Sequence, residues 1–241
     1  MKSNHSPHSG RTLVLAFALA VGCLPVGAQM ADAQITSTNR WEKDIRAFEA
    51  SDRTNPPPLP AVVFFGSSNI RLWQDLPAAF PGHKVLNRGF GGAEMSDLVE
   101  FAARVVIPYH PRVVVIYAGD NDLAAGKTPD RVAADFKAFV QKVHAALPDT
   151  VIGCLAVKPS PSRVRLLAQV KATDALLESA CRASAKTIYL DDFTPMLSAQ
   201  NAPRPELFGQ DGLHLNPAGR AIWISLLQPL LDRYDRAKAQ N

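Results

Sequence analysis

Ala61-Val62-Val63-Phe64-Phe65-Gly66-Ser67-Ser68 is the stretch on which the reading of the fold turns. Its first five residues are apolar, mostly β-branched or aromatic, and lie between a proline and a glycine. Such a run reads as a strand buried on both faces, because a half-exposed strand would alternate apolar with polar side chains. Four later runs have the same character: Lys84–Asn87, Val113–Ala118, Val151–Val157 and Thr187–Leu190. Each is short and bounded by Gly, Pro or Asp. Between and after them, apolar residues recur every three or four positions over Met95–Ile107, Pro129–Leu147, Val164–Ser184 and Pro217–Arg236. That spacing predicts helices. Thr128 and Asn216 each stand before a proline, where a side-chain oxygen can cap a helix and proline suits its first position. Strand–helix alternation predicts an α/β fold, a parallel sheet of five strands covered by helices on both faces. Ligands of such sheets bind at the carboxyl ends of strands, where the strand order switches. Reactive residues should therefore follow strands.

Upstream of the first strand, Asn55-Pro56-Pro57-Pro58-Leu59-Pro60 excludes helix and central strand and reads as a stiff approach. A helical stretch, Arg40 to Ser51, precedes it. The first thirty-odd residues have the form of a secretory signal peptide. Lys2 and Arg11 flank a polar leader, Thr12 to Ala28 is apolar, and Val26-Gly27-Ala28 and Ala31-Asp32-Ala33 suit cleavage. The run is short and broken by Gly22, Pro25 and Gly27, so no stable membrane insertion is expected after cleavage. The leucine of a lipoprotein box is absent three residues before Cys23. The expected organisation is a signal peptide over 1–33, a helix and proline lead-in over 34–60, and the main α/β domain over 61–236. Periplasmic or secreted localisation follows as the expectation.

Composition narrows the partners. The 241 residues are 47% hydrophobic and 20% charged, with a formal charge of +4 from 26 basic and 22 acidic residues. The basic residues form no stripe, which argues against nucleic acid. Beyond the leader two cysteines remain, Cys154 in a strand pattern and Cys181 in a helical one. A disulfide and two buried thiols are both compatible with that placement.

Four sites follow predicted elements. Gly66-Ser67-Ser68-Asn69-Ile70 puts a serine hydroxyl at a tight turn after the first strand, though a simple helix cap would read alike. Ile70 stands where a Gly-x-Ser-x-Gly elbow needs its last glycine. Asn87-Arg88-Gly89-Phe90-Gly91-Gly92-Ala93-Glu94 follows the second strand, and its glycines free backbone amides to face a ligand. A dinucleotide fingerprint fails there, because Glu94 occupies its third glycine position. Gly119-Asp120-Asn121-Asp122 ends the third strand, where an asparagine amide can donate to developing negative charge. A calcium loop fails because Arg131 stands at its closing glutamate. Asp120 can equally serve only to turn the chain. Asp211-Gly212-Leu213-His214 brings a carboxylate within a turn of an imidazole, which would fix the ring's tautomer and steady its cation. His83, His110 and His144 have no such neighbour in sequence and read as surface or packing residues. No His/Cys/Asp cluster offers His214 the further ligands a metal needs.

In order and together, these four blocks resemble the SGNH hydrolases, the superfamily also called GDSL esterases and lipases, over roughly Ala61 to Leu231. The resemblance implies a flavodoxin-like, three-layer αβα sandwich, the SGNH hydrolase fold. It implies Ser68 as nucleophile, with Asp211 and His214 completing a triad. It further implies an oxyanion hole from the backbone amides of Ser68 and Gly92 and the side-chain amide of Asn121. The family's first block has Asp before the serine. Ser67 takes that place here, so two adjacent serines compete and block alignment selects Ser68. Gly66-Ser67-Ser68 with Ile70-Arg71-Leu72-Trp73 looks like a bacterial branch of the family. Lys158-Pro159-Ser160-Pro161-Ser162-Arg163 looks like another feature of it. Lys158 or Arg163 there would hold a substrate anion or hydroxyl, or else be solvated loop residues.

The implied reaction is hydrolysis of a small-molecule or carbohydrate ester, with acetyl or short acyl groups, without metal or cofactor. No long apolar lid argues for a lipase. Transfer of the acyl group to a sugar hydroxyl and a non-catalytic binding protein are the alternatives.

Overall fold

Strand side chains alternate between two faces with a period of two, and in the central strands both faces are apolar. In the computed structural model, which describes residues 1–2 and 26–235, this divides the core into two layers. The strands are β1 (Val62–Gly66), β2 (Val85–Gly89), β3 (Val113–Tyr117), β4 (Val151–Leu155) and β5 (Thr187–Leu190). Val63, Phe65, Val114, Ile116, Ile152 and Cys154 enter one core. Val62, Phe64, Val113, Val115, Tyr117 and Val151 enter the other.

All strands are parallel, in the order β2-β1-β3-β4-β5. The helices are α1 (Val26–Thr54), α2 (Ser68–Arg71), α3 (Leu76–Ala79), α4 (Met95–Val105), α5 (Asp120–Ala124), α6 (Pro129–Ala146), α7 (Leu167–Arg182) and α8 (Pro217–Tyr234). Leu98 and Phe101 of α4, Phe136 and Phe139 of α6 and Leu177 of α7 cover one face of the sheet. Trp73, Leu76 of α3 and Trp223, Leu227 and Leu231 of α8 cover the other. The expected αβα sandwich with five parallel strands is what the chain forms. Trp73, Phe64, Phe80, Tyr117 and Trp223 make a chain of tilted and edge contacts at 4.9–6.1 Å. Such pairs add about 0.5–1.5 kcal/mol each beyond their buried area.

The boundaries moved where local chemistry overrode periodicity. The stretch expected as one helix from Val164 starts as a 3-10 turn, Pro161–Leu166, with α7 following. Arg163 there departs from helical geometry (φ −117°, ψ 23°). Thr128 accepts the amide of Arg131, and Asn216 accepts those of Ala218 and Gly219, so both anticipated caps form. The three short helices α2, α3 and α5 have four or five residues each, too few to show periodicity.

The chain divides into two compact units, Met1–Thr36 and Ser37–Asn241. Most of the apolar leader lies outside the described residues, and residues 26–36 of the first unit are helical. Among the described residues no helix is long and apolar enough to cross a membrane. In the second unit, Trp41 and Ile45 of α1 are buried in the core. Asp52 pairs with Arg88, and Arg104 reaches both Glu42 and Glu49 at 2.7 Å.

The strand order fixes where a site can form. From β1 the chain crosses to β2 on one side, then returns across β1 to β3 on the other. The carboxyl ends of β1 and β3 therefore flank the switch point. Ser68 follows β1 and Asn121 follows β3.

Candidate active site

Gly66 closes β1 against its neighbour so tightly that a Cβ would lie 2.2 Å from the Tyr117 carbonyl oxygen. The same oxygen accepts the Ser67 amide at 3.0 Å. This join turns the chain into α2 with Ser67 facing inward and Ser68 at the mouth. Ser67 is fully buried, and its hydroxyl has no hydrogen-bond partner among the described residues. The Ser68 Oγ lies 2.9 Å from Nε2 of His214. Of the two adjacent serines, it is Ser68 that meets the imidazole.

Asp211 and His214 are joined largely within their own turn. One Asp211 oxygen accepts the amides of Leu213 and His214 at 2.9 and 3.0 Å. The other lies 2.6 Å from Nδ1 of His214. The imidazole contact first, and the two amides next, hold the Asp211 carboxyl down at about 2. An ionised carboxylate only accepts, so Nδ1 carries the proton and donates it. Nε2 is left with its lone pair toward the Ser68 hydroxyl. A serine that donates to an imidazole steered by a carboxylate is poised for general-base activation.

Asn69 ties the two halves together. Its Oδ1 accepts the Leu215 amide at 2.9 Å, across 146 residues of sequence. Being next to Ser68 and next but one to His214 by contact, it sets their separation. Sequence reasoning passed over it, although its position beside the serine was the available signal.

The glycine block lies beside the nucleophile turn. Phe90 donates to the Gly66 carbonyl at 2.9 Å, and a Cβ on Gly89 would lie 2.3 Å from the Arg71 amide nitrogen. Gly92 takes φ +79°, a conformation that favours glycine. Asn121 joins this turn, donating from Nδ2 to the Ala93 carbonyl at 3.0 Å. Its Oδ1 accepts from Nη2 of Arg163 at 2.9 Å. One amide hydrogen goes to Ala93, which leaves the second for a ligand. Asp122 accepts the Met95 amide with both oxygens, at 3.1 and 2.9 Å, and Lys127 at 2.9 Å. It thereby pins the start of α4 behind the glycine turn.

Three expectations are corrected, and the open choice for the cysteines is settled. Lys158 is neither solvated nor able to hold a substrate, because its side chain is fully buried. Its ammonium donates to the Tyr117 hydroxyl and to Asp120, both at 2.9 Å. Asp120 accordingly does more than turn the chain. His83 does have carboxylate neighbours, Asp235 at 2.7 Å and Asp232 at 3.3 Å, contributed by the far end of the chain. Cys154 and Cys181 are free, buried thiols.

The profile of the GDSL-like lipase/acylhydrolase family matches residues 57–222. The chain belongs to that family. Among solved structures, it is similar to a GDSL-like lipase from Bacteroides thetaiotaomicron at TM-score 0.69 and 20% identity, covering 78% of this chain and 97% of that one. A lipase/acylhydrolase from Enterococcus faecalis matches at 0.60 and 18%, covering 74% and 99%. An acetylxylan esterase from Geobacillus stearothermophilus matches at 0.57 and 15%, covering 71% and 94%. These likenesses establish a shared fold. No curated protein matches the sequence.

Proposed function

We propose that this protein is an exported serine esterase that hydrolyses acetyl or short acyl esters of a polar alcohol through an acyl-serine intermediate. The observation that carries the reading is the continuous path from Asp211 through His214 to Ser68, at 2.6 and 2.9 Å. Ser68 Oγ attacks the ester carbonyl carbon while its proton passes to Nε2 of His214. The carbonyl oxygen becomes an oxyanion, received by the amides of Ser68 and Gly92 and by Asn121. Collapse expels the alcohol, which takes the proton from His214. Water then repeats the sequence on the acyl-serine and releases the acid. Asp211 remains ionised and steadies the imidazolium in both halves.

Family membership supports ester chemistry, and the acetylxylan esterase shares the fold, which is compatible with a small acyl group. Export rests on the signal-like leader of the sequence. The test is hydrolysis of C2 to C8 nitrophenyl esters by wild type and Ser68→Ala. The expected loss is about 10⁴-fold or more in kcat, with a weak residual rate from the oxyanion donors. Full activity in Ser68→Ala, or no cleavage of any of these esters by wild type, overturns the reading. Release of acyl sugar rather than free acid when a sugar acceptor is added would point to transfer instead.

A further inference from the structure

The segment between β4 and α7 touches both halves of the site, and nothing in the reaction above uses it. The part that does so runs from Lys158 to Arg163. Toward β3, Lys158 Nζ lies 2.9 Å from Asp120 Oδ2, and Nη1 of Arg163 lies 3.2 Å from the same oxygen. The other arm of that guanidinium, Nη2, donates to Asn121 Oδ1 at 2.9 Å. Toward the acid–base turn, Ser162 donates to the Gly212 carbonyl from its amide at 3.1 Å and from its hydroxyl at 3.0 Å. Gly212 lies between Asp211 and His214, and takes φ +60°.

We infer that Arg163 is a positioning residue that sets the amide of Asn121 for the oxyanion, held by Asp120, which Lys158 anchors in turn. An asparagine amide can sit in two orientations that differ by exchange of oxygen and nitrogen, and they have opposite effects on an oxyanion. A donor that never deprotonates, aimed at Oδ1, selects the orientation with nitrogen forward. The planar guanidinium serves two adjacent residues at the start of α5 at once, hydrogen-bonded to Asn121 and ion-paired with Asp120. Asp120 is the fixed post of this arrangement. Burial alone would raise its pKa, but Lys158 and Arg163 outweigh burial and keep the carboxyl below its ordinary value. A buried Lys–Asp pair already neutralises Asp120, so charge balance alone does not require Arg163 there. Its hydrogen bond to Asn121 is the feature left to explain its presence. Through Ser162 the same segment grips the Asp211–His214 turn, so one loop fixes both the donor and the base relative to Ser68.

The inference rests on the esterase reading and is tested so that the two fail separately. Wild type, Arg163→Ala, Asn121→Ala and the double variant are compared for kcat and KM on nitrophenyl acetate, with thermal midpoints measured alongside. Arg163→Ala is expected to lower kcat by about 10- to 100-fold, short of the full loss of an oxyanion donor. KM should stay within about threefold, because the interaction strengthens in the transition state. In the Asn121→Ala background the same change should cost less than about threefold, since its target is gone. Arg163→Lys keeps a cation for Asp120 but cannot fork. It should retain the wild-type thermal midpoint and still lose kcat, and it replaces Arg163→Ala in the comparison if that variant fails to fold. Equal losses in the two backgrounds, or an unchanged kcat in Arg163→Lys, overturn the inference while leaving the esterase intact. An inactive wild type overturns the esterase reading itself.

Discussion

The two halves of the site are built in opposite ways. The serine half is part of the sheet. Ser68 leaves β1 through a glycine that packs against the Tyr117 carbonyl, Ser67 is fully buried, and Asn121 is tied to Ala93 and Arg163. The histidine half is a surface turn. The side chains of Asp211 and His214 are 51% and 28% exposed, and their mutual contacts span three residues. Rigidity is placed where the reaction needs a preorganised environment, while the base needs only its tautomer and its distance. Asn69 supplies the distance, accepting from Leu215.

If that contrast is right, damage to the two halves should separate activity from stability. The largest expected effect is on turnover. His214→Ala should lower kcat by about 10⁴-fold, measured on nitrophenyl acetate, because among the described residues His214 is the base in contact with the serine hydroxyl. Its thermal midpoint should stay close to wild type. Gly66→Ala should do the reverse. A Cβ there meets backbone at 2.2 Å, so the strand must shift, with an expected cost of about 3 kcal/mol in denaturant unfolding. A His214→Ala variant that unfolds early, or a Gly66→Ala variant of native stability, breaks the comparison.

A third effect is read against pH. Asp192 is fully buried after β5 and accepts the Trp223 indole at 2.7 Å. Burial, above all, raises its carboxyl to about 7 from an ordinary 3.8, against the opposing indole bond. The folded chain thus holds a proton there that the unfolded chain releases. Its stabilising contribution is full below about pH 4 and is lost as pH rises toward 7. Thermal midpoints of Asp192→Asn should fall less over that range than those of wild type. Parallel curves would show that Asp192 is not titrating in the fold.

Much of this architecture was legible in sequence, for a physical reason. The central strands β1, β3 and β4 are buried along their whole length, which demands continuous apolar runs, and all five runs became strands. The capping residues Thr128 and Asn216 read correctly since a cap is a local device. The pair Asp211 and His214 was legible for the same reason. The choice of Ser68 over Ser67 came from block alignment alone, because adjacent residues differ only in which way the turn points them. Lys158 and Asp120, 38 residues apart, looked like loop charges, and the buried pair they form depends on β3 and β4 lying side by side. His83 likewise finds Asp235 only once α8 packs beside the start of β2. Long-range polar contacts of this kind leave no periodic trace.

The central claim is that the Ser68 hydroxyl, and not its neighbour's, is activated by His214. Fluorophosphonate labelling followed by peptide mass mapping tests it most directly, since the reagent captures a serine by the same attack that opens an ester. A single adduct on Ser68 is expected, formed in wild type and absent in His214→Ala. An adduct on Ser67, or labelling of Ser68 that persists at the wild-type rate without His214, would contradict it.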